Sequence, residues 1–93
     1  MNRTAINKKA NREIDKQIEK LGIKTCEIGL PGCLNSWFLQ RTHRHKRGWY
    51  YDKPDSLLWN YKEWCLACHK CHETIERDKK LTEETFLRLR GQE

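Results

Sequence analysis

The chain has 93 residues, a formal net charge of +6, a pI near 9.2 and a hydrophobic fraction of 37%. A chain this short forms one small domain with little apolar surface to bury, so a metal staple is expected to supply what the core does not. No apolar run approaches the roughly 18 residues of a membrane span, and an odd number of cysteines without a signal-like N-terminus argues against a secreted disulfide framework. The expectation is a soluble protein of the reducing cytoplasm with no membrane partner, its positive charge suited to polyanions.

In chain order, residues 2–21 read as a helix: Ile14, Ile18 and Leu21 recur at helical spacing and Gly22 offers a stop. The other faces are charged, either a solvated surface with local ion pairs or a basic face within reach of DNA. Thr25 to Cys33 resembles a metal knuckle, with Gly29, Pro31 and Gly32 supplying its tight turn. Leu34 to Arg41 has strand propensity through Trp37, Phe38 and Leu39, and a second strand is expected through Trp49 to Tyr51, closing a hairpin around a basic loop. Pro54 and Asp55 break the pattern, and Ser56 to Trp64 is a short helix or an irregular crossing. His72 to Asp78 is expected to be helical. A last helix starts near Thr82, whose hydroxyl caps it while Leu81 packs on Phe86, with Arg88 and Arg90 suiting its C-terminal dipole. The organisation is a single α+β domain: a basic helix over 1–24, a stapled core over 25–80 and a C-terminal helix over 81–93.

Two cysteine pairs, Cys26 with Cys33 and Cys68 with Cys71, flank the run Arg41-Thr42-His43-Arg44-His45-Lys46-Arg47. Two such pairs close one tetrahedral Zn²⁺ site and anchor the chain between them at both ends. The register of the second pair is open, because Cys65-Leu66-Ala67-Cys68-His69 also satisfies Cys-x2-Cys-His, and Asn60 stands five residues before Cys65. In the preferred register Cys65 is a buried spare thiol. Arg41, Arg44, Lys46 and Arg47 cluster beside Trp49, Tyr50 and Tyr51, a mixture suited to phosphates and unstacked bases. Eight of the nine aromatics fall between Trp37 and Trp64, and in so small a domain most are expected to pack inward.

Cys-x6-Cys, a His-rich basic stretch and Cys68-His69-Lys70-Cys71-His72-Glu73-Thr74-Ile75-Glu76 together resemble the zinc-stapled branch of the HNH (His-Asn-His) endonucleases, particularly small phage-encoded members. The resemblance spans about Thr25 to Asp78. It implies a ββα-metal fold and a metal-dependent nuclease that nicks or cuts DNA in a bacterial host cytoplasm. A structural zinc is held by Cys26, Cys33, Cys68 and Cys71, and a separate catalytic Mg²⁺ or other divalent ion is held partly by His72. It further implies a histidine base at the hairpin. His43 is favoured as base with His45 as metal ligand or phosphate contact, and the reverse assignment stays open. Asn60 corresponds to the middle Asn that holds the loop orienting the base, and Arg41, Arg44, Lys46, Arg47 and Arg77 are phosphate contacts. The chain departs from the family at Thr42, which stands where an acidic ligand is expected and so weakens the case for catalysis. Two other classes remain: a zinc-stapled DNA-binding or adaptor module on a larger phage machine, and a protein that blocks another nuclease or a host factor.

Overall fold

The structure, a computed structural model, describes residues 3–91; Met1, Asn2 of the expected first helix, and the last two residues of the C-terminal segment lie outside them. Helix α1 (Arg3–Leu21) buries Ile6, Ala10 and Ile14, one residue per turn on a single face. The packed stripe therefore lies earlier than the sequence spacing implied. Ile6 and Ala10 join Tyr50 and Leu58 in one apolar cluster, whereas the helix overshoots the core at its other end and leaves Leu21 53% exposed. Gly22 does stop it: its φ is 70°, Gly22 N–H donates to Glu19 O and Ile23 N–H to Ile18 O, the paired bonds of a Schellman cap.

Strand β1 (Leu39–His43) starts later than expected, because Asn35 and Phe38 adopt left-handed φ values of 57° and 52° that no strand accommodates. Its antiparallel partner is β2 (Trp64–Cys68), paired from Leu39 with Cys68 to His43 with Trp64. Trp49 to Tyr51 is not the second strand. Trp49 and Tyr50 belong to a single helical turn, α2 (Arg47–Tyr50), and the link between strands continues through 3-10 turns at Asp55–Trp59 and Tyr61–Glu63. All five residues of β2 are buried, so this strand has a continuous apolar run rather than the alternation of a half-exposed strand. Its far side is closed by Glu27, whose N–H donates to Leu66 O (2.8 Å) while its carboxylate accepts from Leu66 N–H (2.6 Å).

Helix α3 (His69–Glu76) follows β2 directly and packs on both strands, with the Cys68 sulfur accepting the Cys71 N–H as its cap. Helix α4 (Lys79–Arg90) begins earlier than expected and is capped by Asp78, which accepts from Leu81 N–H; the Thr82 hydroxyl instead donates backward to Ile75 O and Asp78 O. Leu81 packs on the cluster that contains Phe86, and Arg88 and Arg90 occupy the last turn as expected. The result is a small α+β unit with a radius of gyration of 12.8 Å, near the roughly 12 Å of a compact chain of this length.

The aromatics depart most from expectation. Tyr50 and Trp64 are buried, but Trp49 and Tyr61 are exposed, and Trp37 and Phe38 are each 69% exposed on the segment leading into β1. Part of the core is ionic instead. Arg90 Nη2 donates to both carboxylate oxygens of Glu27 at 2.8 Å, its guanidinium lies 4.0 Å over the Tyr61 ring and its Nε donates to Tyr61 O, which ties α4 to the knuckle and to the approach to β2. Breaking a buried pair strands the other charge, so Arg90→Ala is expected to cost about 3 kcal/mol. Urea unfolding should show a lower midpoint with an unchanged slope.

Candidate functional site

The sulfur atoms of Cys26, Cys33, Cys68 and Cys71 lie within 4.8 Å of one another, a cluster able to hold one metal ion. The Cys33 and Cys68 sulfurs are 3.9 Å apart, and four Zn–S bonds in a tetrahedron set sulfur atoms roughly 3.8 Å apart. The knuckle approaches because its backbone curls around the thiols. Cys26 N–H donates to Asn35 O, Cys33 N–H to Leu30 O, Leu34 N–H to the Cys68 sulfur and Asn35 N–H to the Cys33 sulfur. Burial opposes a Cys68 thiolate, yet the N–H groups of Leu34 and Cys71 and the neighbouring thiols bring its pKa down to about 6. Cys65 is outside this cluster. It is fully buried in the apolar core, and burial pushes its thiol up, so the alternative register through Cys65, Cys68 and His69 is not the one that assembles. His69 lies on the surface of α3, near Gln40 and Glu73.

Beside the thiols, β1 and α3 form a cleft of about 620 Å³. Thr42 projects from β1 toward α3, its hydroxyl 2.9 Å from His72 Nδ1, while His72 Nε2 lies 3.3 Å from Glu76. The next strand residue, His43, also lines the cleft, but its Nε2 is directed to the segment around Leu58 and donates to Leu58 O at 2.8 Å. A carbonyl only accepts, so in the neutral ring the proton sits on Nε2 and Nδ1 keeps its lone pair. Desolvation of the ring, against the Leu58 hydrogen bond and together with the positive charges of Arg47 and Arg41, pushes its pKa down to about 4. Asn60 is exposed; its side chain accepts from Lys62 N–H and shapes the turn two residues after Leu58.

The strand ends at His43, so His45 does not share a regular strand face with it. The His45 ring instead stacks on Trp49 with centroids 3.9 Å apart. The basic run is also less available than its sequence suggests. Arg44 is only 8% exposed, paired with Glu63 and donating to Gly91 O, so it is a core residue rather than a surface cation. Arg41 holds Asp15 of α1 in a bidentate contact, and Arg47 donates to Asn7 and Asn11 on the same helix. Lys46 and Arg77 remain exposed on the cleft, joined by Lys79, which sequence reasoning did not single out. Glu76 was missed likewise; its position four residues after His72 was the available signal.

No family model matches the chain, and neither the curated proteins nor the solved structures contain a match. No helix among the described residues is long and apolar enough to cross a membrane.

The cluster geometry predicts one tightly held metal ion per chain, lost on Cys26→Ser and retained on Cys65→Ala, as measured by metal analysis after gel filtration. The lowered His43 pKa has a defined sign. The unfolded chain takes up a proton near pH 6.5 and the folded one only near 4, so the contribution of neutral His43 is complete above 6.5 and is lost as pH falls toward 4, by about 3 kcal/mol in total. Denaturation of the metal-loaded protein from pH 7 to 4 should show this fall, and His43→Gln should flatten the part of it that exceeds the thiol contribution common to both proteins.

Proposed function

We propose that the protein is a metal-dependent DNA endonuclease of HNH type, with Zn²⁺ in the four-cysteine cluster as a structural staple and Mg²⁺ or a similar divalent ion in the cleft. The observation that carries the reading is the Thr42–His72 contact between β1 and α3, with His43 beside it holding an unprotonated Nδ1. Two antiparallel strands followed by a helix, with a histidine from strand and from helix on one cleft, supports the ββα-metal reading.

In this reading His43 is the general base. Its proton is fixed on Nε2 by Leu58 O, its low pKa keeps the ring neutral at physiological pH, and Nδ1 takes a proton from the attacking water. Asn60 supports that role at one remove: two residues after Leu58, its side chain caps the turn Tyr61–Glu63 that follows the Leu58 segment. His72 is the helix ligand for the divalent ion, which when bound supplies positive charge against the phosphate oxygens and the leaving oxygen. Lys46 and Arg77 contact phosphates from the cleft, while Arg41 and Arg47 add positive potential but hold α1 in place. His45 on Trp49 forms a flat surface suited to a sugar or base rather than a metal ligand.

Supercoiled-plasmid cleavage with Mg²⁺, Mn²⁺ or Ni²⁺ tests this. Nicking is expected from the zinc-loaded protein, and His43→Ala, folded by circular dichroism, should lower the rate about 10²- to 10⁴-fold; His72→Ala should also raise the metal requirement. Absence of cleavage with every ion, alongside salt-sensitive retention of DNA in a gel shift, would replace the enzyme with a binding module.

A further inference from the structure

The strand carries Thr42 where the resemblance leads one to expect an acidic ligand, so the cleft ion has no carboxylate from β1. Helix α3 offers one. His72 and Glu76 are four residues apart on α3 and therefore share a face, and His72 Nε2 lies 3.3 Å from Glu76 Oε2. Two ligand atoms at right angles on a hexacoordinate ion, with bonds of about 2.1 Å, stand roughly 3 Å apart. Little movement is needed for one ion to bind both.

A second pair of the same composition provides an internal comparison. His69 and Glu73 are also four residues apart, with Nε2 and Oε1 at 3.2 Å. Neither lines the cleft, whereas His72 and Glu76 both do, together with Thr42, His43, Lys46 and Arg77. The pairs are alike as helix-surface contacts and differ in what they face. Of the two pairs only His72 and Glu76 set a carboxylate in the cleft edged by cations, where an ion could bridge protein and phosphate; Glu83 of α4 also lines the cleft but has no histidine four residues before it on its helix.

Thr42 completes the arrangement. Its hydroxyl lies 2.9 Å from His72 Nδ1 and 3.3 Å from Gln40 O. It can donate to Nδ1 while Nε2–H donates to Glu76, or accept from Nδ1–H and donate to Gln40 O. In the second state the Nε2 lone pair faces the Glu76 carboxylate, two acceptors that a bound cation reconciles. Replacing the Nε2 proton with an ion therefore leaves no polar atom of Thr42 or His72 without a partner. We propose that Glu76 is the carboxylate ligand of the cleft ion, paired with His72, and that the Thr42 hydroxyl is the positioning group that sets the His72 tautomer. The acidic ligand has moved from strand to helix.

This rests on the reading of the cleft as a divalent-ion site, and the test separates the two. Mn²⁺ is titrated into zinc-loaded full-length protein by calorimetry, with paramagnetic broadening of side-chain resonances read in parallel. One Mn²⁺ beyond the zinc is expected, with the strongest broadening at the His72 ring and the Glu76 methylenes. Glu76→Gln should weaken binding at least about tenfold, whereas Glu73→Gln should leave it unchanged. Broadening centred on His45, or Mn²⁺ affinity equal in Glu76→Gln and the parent, would overturn the assignment and leave the nuclease reading to its own cleavage assay. No second ion bound by the parent would overturn both. Loss of Mn²⁺ binding in Glu76→Gln from a parent that cleaves no DNA would uphold the ligand and remove the enzyme.

Discussion

The structure depends on four sulfur atoms from two distant chain segments converging within 4.8 Å. An ion held at this point would join the knuckle of residues 26–33 to the junction of β2 and α3, and the fully buried apolar residues around it are few: Ile28, Cys65, Ala67, Ile75 and Phe86 form the cluster with the thiols Cys68 and Cys71. A 93-residue chain with a third of its residues charged has little other means of fixing a two-stranded sheet against a helix. The N–H groups of Leu34 and Asn35 that point at sulfur hold the end of the knuckle against the thiols, just before the segment that leads into β1.

From that point the cleft follows by short steps. His72 is the residue after Cys71, so the position of a thiol ligand fixes the position of the helix histidine. The register of β1 on β2, with Thr42 opposite Cys65, then sets the Thr42 hydroxyl against the His72 ring and leaves His43 facing the segment around Leu58. The same segment carries the cluster that receives Ile6 and Ala10 of α1. The low His43 pKa is thus a consequence of packing: the ring is desolvated by the segment that orients it, between two arginines held by α1.

The cysteine pairs, the existence of α1, α3 and α4 and the Gly22 stop were legible in the sequence because each is a local rule, ligand spacing, periodicity or a positive φ, although α3 and α4 each start three residues earlier than their sequence signals. The second strand was not. Trp49 to Tyr51 has the intrinsic propensity, but the Trp64–Cys68 run wins by filling the space between α3 and the knuckle, which depends on partners far along the chain. Arginine roles failed for the same reason. Arg41, Arg44 and Arg47 form one basic cluster in sequence, yet Asp15, Glu63 and the two asparagines that engage them lie 19 to 40 residues away. The exposure of Trp37 and Phe38 could not be read from composition either, since it follows from the left-handed residues that carry the chain out of the knuckle.

The most direct test of the central claim is a proton–cadmium correlation spectrum of the full chain loaded with ¹¹³Cd²⁺ in place of zinc. The account predicts one cadmium resonance coupled to the β-protons of Cys26, Cys33, Cys68 and Cys71 and to no others. Coupling to Cys65 or His69, or loss of coupling to either member of the 26–33 knuckle, would contradict it.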